Sequence, residues 1–444
     1  MRCPHCGAEA TQEFSFCVRC GGDLAAAPEP DAHEAYKERE RDNFIRVMTV
    51  FVVGLILFSM LFGFFLPRYL SPRYREYPAQ ASFTVDRVIV LESSKEKKYW
   101  VDFPRVENRS MNGELVQHVE SEALSPAGFT MVHNRFAWDW LYWNGTLPAN
   151  GKLTIRASYT ITEKFAKWDV NESAVGDAQN VPARMRASHL TDEWHITTDF
   201  GMPADRDGDR QPDILIQPLS PVIRNLSLMI IRNASAGDAY SAVKSVYTWV
   251  TQNIRYPTEK EAEAYRAQAW GIPRHALWTL RDRVGDCDEQ TALFLSLVRS
   301  AGYPSWFSFG ALYDPGQNEW GGHAWSTVYI PYYIGAGVNI SVDTTNRQFA
   351  FLDTYRMTVW EDETANETAL DDYYSFLQYE PASPNATASE GYEPKSYVPS
   401  SDTVRIYDET NGKSAIPGFD VYIAIAGILA AFSIVTIARR KWQA

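Results

Sequence analysis

Between residues 79 and 170 apolar and polar positions alternate in short runs, such as "SFTVDRVIVL", "KYWVDF" and "KLTIRASYTIT", broken by Asn, Gly and Pro. A period of two places every second side chain on one face, so these runs predict antiparallel strands and a β-sandwich-like domain over 67–235. Further along, the period lengthens. In "DAYSAVKSVYTWVTQNIRYP" the positions Ala242, Val243, Val246, Trp249, Val250 and Ile254 recur every three or four residues, predicting a helix stopped by Pro257. The same spacing in "VGDCDEQTALFLSLVRSAGYPSW" puts Leu293, Phe294, Leu297 and Val298 on one buried stripe. Gly302 supplies a left-handed stop before Pro304.

Two runs are apolar without periodicity. "VMTVFVVGLILFSMLFGFFL" (47–66) carries no charge over twenty residues, enough to span a bilayer core of about 30 Å, and predicts a membrane helix over 44–66. "VYIAIAGILAAFSIVTIA" (421–438) runs into Arg439, Arg440 and Lys441, a stop-transfer pattern that predicts an anchor over 417–441. The basic cluster belongs in the cytoplasm, and two spans place both termini there, leaving 67–416 outside the cell. Eight asparagines of that segment (Asn108, Asn144, Asn171, Asn225, Asn233, Asn339, Asn366 and Asn385) stand in N-x-Ser/Thr, as in exported glycoproteins. The Ala-, Pro- and charge-rich residues 25–43 read as a linker, and the Pro/Ser/Thr-rich end of 361–416 as a stalk. Pro-Gly-Phe before the last apolar run resembles the processed sorting tails of archaeal surface proteins, although an ordinary anchor is the preferred reading.

Composition narrows the class. A chain of 444 residues with 45% hydrophobic and 14% aromatic residues holds more than one folded unit and favours sheet. Its net charge of −13 argues against nucleic acid as a partner of the main domain.

Four of the five cysteines, Cys3, Cys6, Cys17 and Cys20, form two C-x2-C knuckles within "CPHCGAEATQEFSFCVRCGG", each followed by a turn glycine, Gly7 or Gly21. Four thiolates at this spacing suit tetrahedral zinc. Residues 1–24 resemble the short zinc ribbons at the ends of many prokaryotic membrane proteins, with a cytoplasmic partner that the sequence does not name. In "ADRDGDRQPD" the residues Asp205, Asp207, Asp209 and Asp213 offer oxygen ligands for calcium, but Arg210 stands where an EF-hand loop needs Gly and Ile216 where it needs Glu. A solvated acidic turn is the preferred reading.

Cys287 stands apart from the other four. It falls in the first turn of a predicted helix, where the helix terminus favours thiolate, while Asp286, Asp288 and Glu289 oppose it. His323, in "GGHAWSTVYIP", begins a predicted strand, and Asp343, in "ISVDTTN", closes another. With the helix ending in "NIRYP", these ordered motifs over about 238–350 resemble the transglutaminase-like superfamily of cysteine enzymes. The resemblance implies a papain-like α+β core over 236–360, with Cys287 as nucleophile, His323 as base and Asp343 as orienting acid. It implies acyl transfer through a thioester on amide or isopeptide bonds of a cell-envelope protein or peptide. Hydrolysis is preferred over cross-linking, because shielding a thioester from water demands a tunnel the sequence does not reveal. The backbone N–H of Cys287 is one oxyanion donor; Gln268 and Trp270 are candidates for the other. A non-catalytic surface scaffold on the same fold is the alternative.

Overall fold

The computed structural model describes residues 2–10, 15–24, 32–60, 74–198, 202–269, 272–380 and 386–407. Tyr74–Thr410 form one compact unit, and the cysteine knuckles and first helix belong to another.

In the N-terminal unit each knuckle closes by the same turn. Gly7 N–H donates to Cys3 O at 2.9 Å and Gly21 N–H to Cys17 O at 2.7 Å. Both glycines have φ near +70°, where a side chain would be strained. The helix Ala32–Met60 follows, so residues 32–43 of the expected linker are helical. Its stretch Arg39–Ser59, of mean hydropathy 1.7 and unburied, is long and apolar enough to cross a membrane. The expected second span, 417–441, lies outside the described residues.

The larger unit is mostly sheet. Strands Gln80–Ser93, Gly151–Lys164, Glu114–Ser125 and Arg109–Met111 pair antiparallel in that order. They face a second sheet of Leu377–Glu380, Lys97–Pro104, Trp138–Leu147 and Thr130–Arg135. The period-two pattern is real: along Gly151–Lys164, Ile155, Ala157, Tyr159 and Ile161 all turn into the core with Phe83, Phe103 and Trp140.

The expected stalk is a correction. Ala386–Pro399 is a strand laid along Gln80–Ser93, from Ala386 opposite Ser93 to Pro399 opposite Ala81. Its prolines misled the reading: Pro394 sits at a bulge and Pro399 at the strand end, where the ladder needs no N–H. Through the single pair Trp320–Tyr392 this strand also joins the sandwich to the sheet of the papain-like core, so no linker separates the two. The ends of the unit are zipped as well, Tyr74–Pro78 pairing with Thr403–Tyr407 from Tyr74 opposite Tyr407 to Pro78 opposite Thr403.

In the core, helix Cys287–Ser300 lies on the strands Ser305–Asp314 and Glu319–Ile330, with helices Pro221–Asn233 and Ala239–Asn253 packed against it. The predicted stripe is correct but too narrow, because every side chain from Glu289 to Arg299 is buried. Gly302, at φ +93°, ends the helix as expected.

Six of the sequon asparagines, Asn108, Asn144, Asn171, Asn225, Asn233 and Asn366, are exposed; Asn339 is half-buried and Asn385 lies outside the described residues. The Asn225 sequon is closed in the folded chain, since Ser227 is buried and donates to Leu297 O at 2.8 Å.

Leu297 has no exposed surface, so Leu297→Ala should remove about 2–5 kcal/mol of stability through lost burial and the cavity left behind. Urea unfolding of the Tyr74–Thr410 unit within the full chain reads this; a loss under about 1 kcal/mol contradicts the enclosed helix.

Candidate active site

The helix carrying Cys287 starts with a reciprocal pair. Asp286 accepts the Glu289 N–H at 3.3 Å and Glu289 Oε2 accepts the Asp286 N–H at 3.0 Å, satisfying two first-turn donors. Arg274 then clamps Glu289, with Nε 2.6 Å from Oε1 and Nη2 2.7 Å from Oε2. The guanidinium is wholly buried, stacks 3.5 Å over the Tyr265 ring, and gives further bonds to Asp282 and Val284 O. Cys287 is thereby fixed at the first helical position.

His323 and Asp343 come from adjacent strands, Glu319–Ile330 and Val338–Asp343. On its other side His323 pairs with Gly310, where a Cβ would meet Met357 O at 1.8 Å; only glycine lets the strand Arg356–Glu361 pair on the far side of that position. His323 Nε2 lies 2.7 Å from Asp343 Oδ2. With Nε2 donating to the carboxylate, Nδ1 is the nitrogen able to accept a proton. Asn346 grips both aspartate oxygens, its N–H on Oδ1 and its Nδ2 on Oδ2, each at 2.9 Å. Arg356 Nη1 adds a contact at 3.3 Å and is itself held by Asp353 and Gln348. Burial alone would raise the Asp343 carboxyl; His323, Arg356 and the Asn346 N–H outweigh it and hold the group well below the usual carboxylate range.

The nucleophile's surroundings reverse the expected direction. Cys287 is half-buried, and its sulfur faces the Ala324 N–H, next to His323. Its hydrogen goes to Asp288 Oδ1 at 3.4 Å; among the described residues it makes no hydrogen bond to His323. Burial, then the charges of Asp288 and Asp286, push the thiol above its ordinary value, and the Ala324 N–H offsets only part. The carboxyls respond likewise. Burial and the neighbouring Asp288 and Glu289 push Asp286 up to about 8, and burial raises Asp288 although Tyr374 donates to its Oδ2 at 2.9 Å. The sulfur is thus held on the Asp288 carboxyl, in surroundings that disfavour its thiolate.

Tyr374, from the segment read as stalk, and Asn346, Arg356 and Arg274 are the site residues the sequence reading missed. Only the Asp286–Glu289 spacing and the Asp343–Asn346 turn carried a local signal. Of the oxyanion candidates, Trp270 and the Gln268 side chain lie outside the described residues.

Among the described residues three groups of side chains gather donors of the kind that hold metals. The sulfurs of Cys3, Cys6, Cys17 and Cys20 lie within 4.8 Å of one another, with Cys3–Cys20 and Cys6–Cys17 both at 3.7 Å. A tetrahedron with zinc–sulfur bonds of about 2.3 Å has edges of about 3.8 Å, so the fit is close. Backbone N–H groups of Arg19 and Cys20 bring the Cys17 thiol down to about 6, while, against the Gly22 N–H, the neighbouring cysteines and burial push Cys20 up to about 12, so the thiols share their protons unevenly.

Asp205, Asp207 and Asp209 also gather within 4.8 Å, at an exposed loop where each accepts a loop N–H. Asp207 is further tied to Arg281 at 2.9 Å. Asp213 turns away from Asp205 and Asp209 into a buried pair with Arg206 at 2.5 Å. There it and Asp207 meet His275 Nε2, at 3.4 and 3.7 Å. His275 Nδ1 accepts the Trp278 N–H at 3.2 Å, which leaves the proton on Nε2 and closes that nitrogen to a metal.

Residues 229–334 match the family model described as Transglutaminase-like superfamily, a span that holds Cys287 and His323 and stops before Asp343. No curated protein matches the chain. Among solved structures it is similar to "a Putative Cysteine Protease" from Cytophaga hutchinsonii, at 12% identity and TM-score 0.44, over 78% of this chain and 95% of that one. It is also similar to "a putative protease" from Parabacteroides distasonis, at 14% identity and TM-score 0.20, over 67% of this chain and 65% of that one. Residues 229–334, in which the helix that starts with Cys287 packs on an antiparallel sheet bearing His323, are a domain of the transglutaminase-like superfamily, with its papain-like fold, and the sheet continues past the match to Asp343.

Proposed function

We propose that the unit Tyr74–Thr410 is a cysteine-dependent acyl-transfer enzyme acting on amide or isopeptide bonds of a cell-envelope protein or peptide. The observation that carries this is the buried 2.7 Å His323–Asp343 bond beside a helix whose first residue is Cys287. His323 Nδ1 takes the thiol proton as sulfur adds to the carbonyl carbon. The Cys287 backbone N–H, one of the four first-turn donors without an intrahelical acceptor, receives the oxyanion. The C–N bond breaks, the amine leaves with the proton from His323, and water hydrolyses the thioester to release the acid. An amine in place of water gives cross-linking, the less favoured outcome. In the resting site the thiol sits on Asp288, and the shift to His323 accompanies substrate binding, as catalytic hydrogen bonds commonly tighten only in the complex.

We propose that the chain is held in the cell membrane by the apolar part of Ala32–Met60 and by 417–441, with both ends cytoplasmic and 67–416 outside. The exposed sequons support this, as does the pairing of Tyr74 with Tyr407, which brings both ends of the outer unit to one place. Zinc in the cysteine knuckles is structural in this reading, and awaits an unidentified cytoplasmic partner. Calcium at Asp205, Asp207 and Asp209 belongs to the same reading as a loop ligand, with Asp213 taken up by Arg206.

Incubation with p-nitrophenyl acetate should leave one acetyl group on Cys287 by intact mass, and His323→Ala should slow that step about 10²–10⁴-fold. Envelope peptides incubated with and without added amine then separate the outcomes by gain of water or of amine. An unmodified wild-type Cys287 would favour the scaffold alternative, to which the thiol's placement on Asp288 also points.

Iodoacetamide labelling of Cys287 should rise only at alkaline pH, above the free-cysteine midpoint of about 8.5. Asp288→Asn removes a like charge and should lower that midpoint. Tyr374→Phe, which withdraws the hydrogen bond that favours ionised Asp288, should lower it less. A midpoint unmoved by either change refutes the role given to Asp288.

The isolated chain should carry one zinc, lost in Cys17→Ser. Metal analysis that finds none, or finds a disulfide among these cysteines, contradicts the ribbon.

A further inference from the structure

The turn that carries Asp343 is held from outside the papain-like core. Arg75, in the strand Tyr74–Pro78, extends Nη1 to within 2.9 Å of the Asn346 carbonyl oxygen. Asn346 is the residue whose N–H and Nδ2 each grip one oxygen of Asp343, and its amide nitrogen also lies 3.1 Å from His323 Nε2. The peptide that Arg75 holds leads into Arg347, at φ +55°, a left-handed position where a non-glycine residue needs support from its surroundings. Arg75 in turn is placed by the end ladder, opposite Ile406. A chain of direct contacts thus runs from the paired ends of the unit to the imidazole.

We propose that Arg75 is a positioning residue for the acyl-transfer reaction: by fixing the Asn346 peptide it sets the orientation of Asp343 and so of His323. The inference rests on the proposed roles of Cys287, His323 and Asp343. Arg75 acts through the Asn346 carbonyl, so its effect falls on the step that needs the imidazole as base, leaving substrate binding unchanged. Lysine at this position keeps the charge but lacks the planar fork.

The test follows acetylation of Cys287 by p-nitrophenyl acetate, by intact mass against pH, in the full chain as wild type, Arg75→Ala, Arg75→Lys, Asp343→Asn and His323→Ala. Arg75→Ala should acylate about tenfold more slowly, part of the way to Asp343→Asn, with saturation by the ester unchanged. Arg75→Lys should lie between. Guanidinium at non-denaturing millimolar concentration should restore the rate of Arg75→Ala and leave Asp343→Asn slow, a rescue that loss of fold does not give. The inference is overturned if Arg75→Ala acylates as wild type while Asp343→Asn is slow, or if guanidinium restores nothing. If His323→Ala and Asp343→Asn both acylate as wild type, the enzymatic reading itself fails.

Discussion

The helix Cys287–Ser300 is enclosed on every side, and this settles much of what surrounds it. A helix end buried without partners leaves backbone donors or acceptors stranded, at a cost of about 1–3 kcal/mol each. Here the Asp286–Glu289 pair closes the start, and the N–H groups of Ala301, Gly302 and Tyr303 close the finish on the carbonyls of Leu297, Arg299 and Val298; a buried arginine then ties each end to its surroundings. Arg274 holds Glu289 at the start, and Arg299, near the finish, donates to Ser305 O at 2.8 Å and to Glu193 at 2.5 Å. Such pairs gain little net stability over an apolar core, but losing one partner strands a buried charge and costs about 3–5 kcal/mol. Their contribution is to the register of the helix, and so to where Cys287 stands.

The same enclosure disfavours the thiolate. A helix terminus and a histidine favour the anion when some water or a cation is near. Burial and two uncompensated carboxyls reverse that balance, because Arg274 is spent on Glu289 and offers Asp286 only partial relief. At this site a cysteine, a histidine and an aspartate are gathered in surroundings that favour the thiol.

The three motif residues, the helix stripe and the sandwich strands were legible because each rests on local periodicity or on a turn residue. Cys287 and Asp343 occupy a helix start and a strand end, as their sequence contexts imply; His323 lies inside its strand and not at its beginning, because the ladder runs on through Gly321 and Gly322. What escaped was long-range. Tyr374 reaches Asp288 across 86 positions and Arg75 reaches Asn346 across 271, separations at which no local pattern bears on contact. Ala386–Pro399 was misread for a compositional reason. It is a largely exposed strand, so no alternating apolar face marks it, and its prolines fall where a ladder tolerates them. The direction of the thiol shift was missed because "DCDE" gives the charges but not their burial.

The ladder of Tyr74–Pro78 with Thr403–Tyr407 also has a mechanical meaning. Because Tyr74 faces Tyr407 at its outer rung, tension that draws the two chain ends apart peels the ladder one pair at a time, instead of shearing all its bonds at once. Arg75 stands on the second rung, one residue in. An opening of about two residues, roughly 7 Å of strand, would therefore reach the contact on the Asn346 carbonyl while the ten-stranded sheet remained closed. Load applied to the two ends of the unit would be felt at the turn from Asp343 to Asn346 before it was felt by the core.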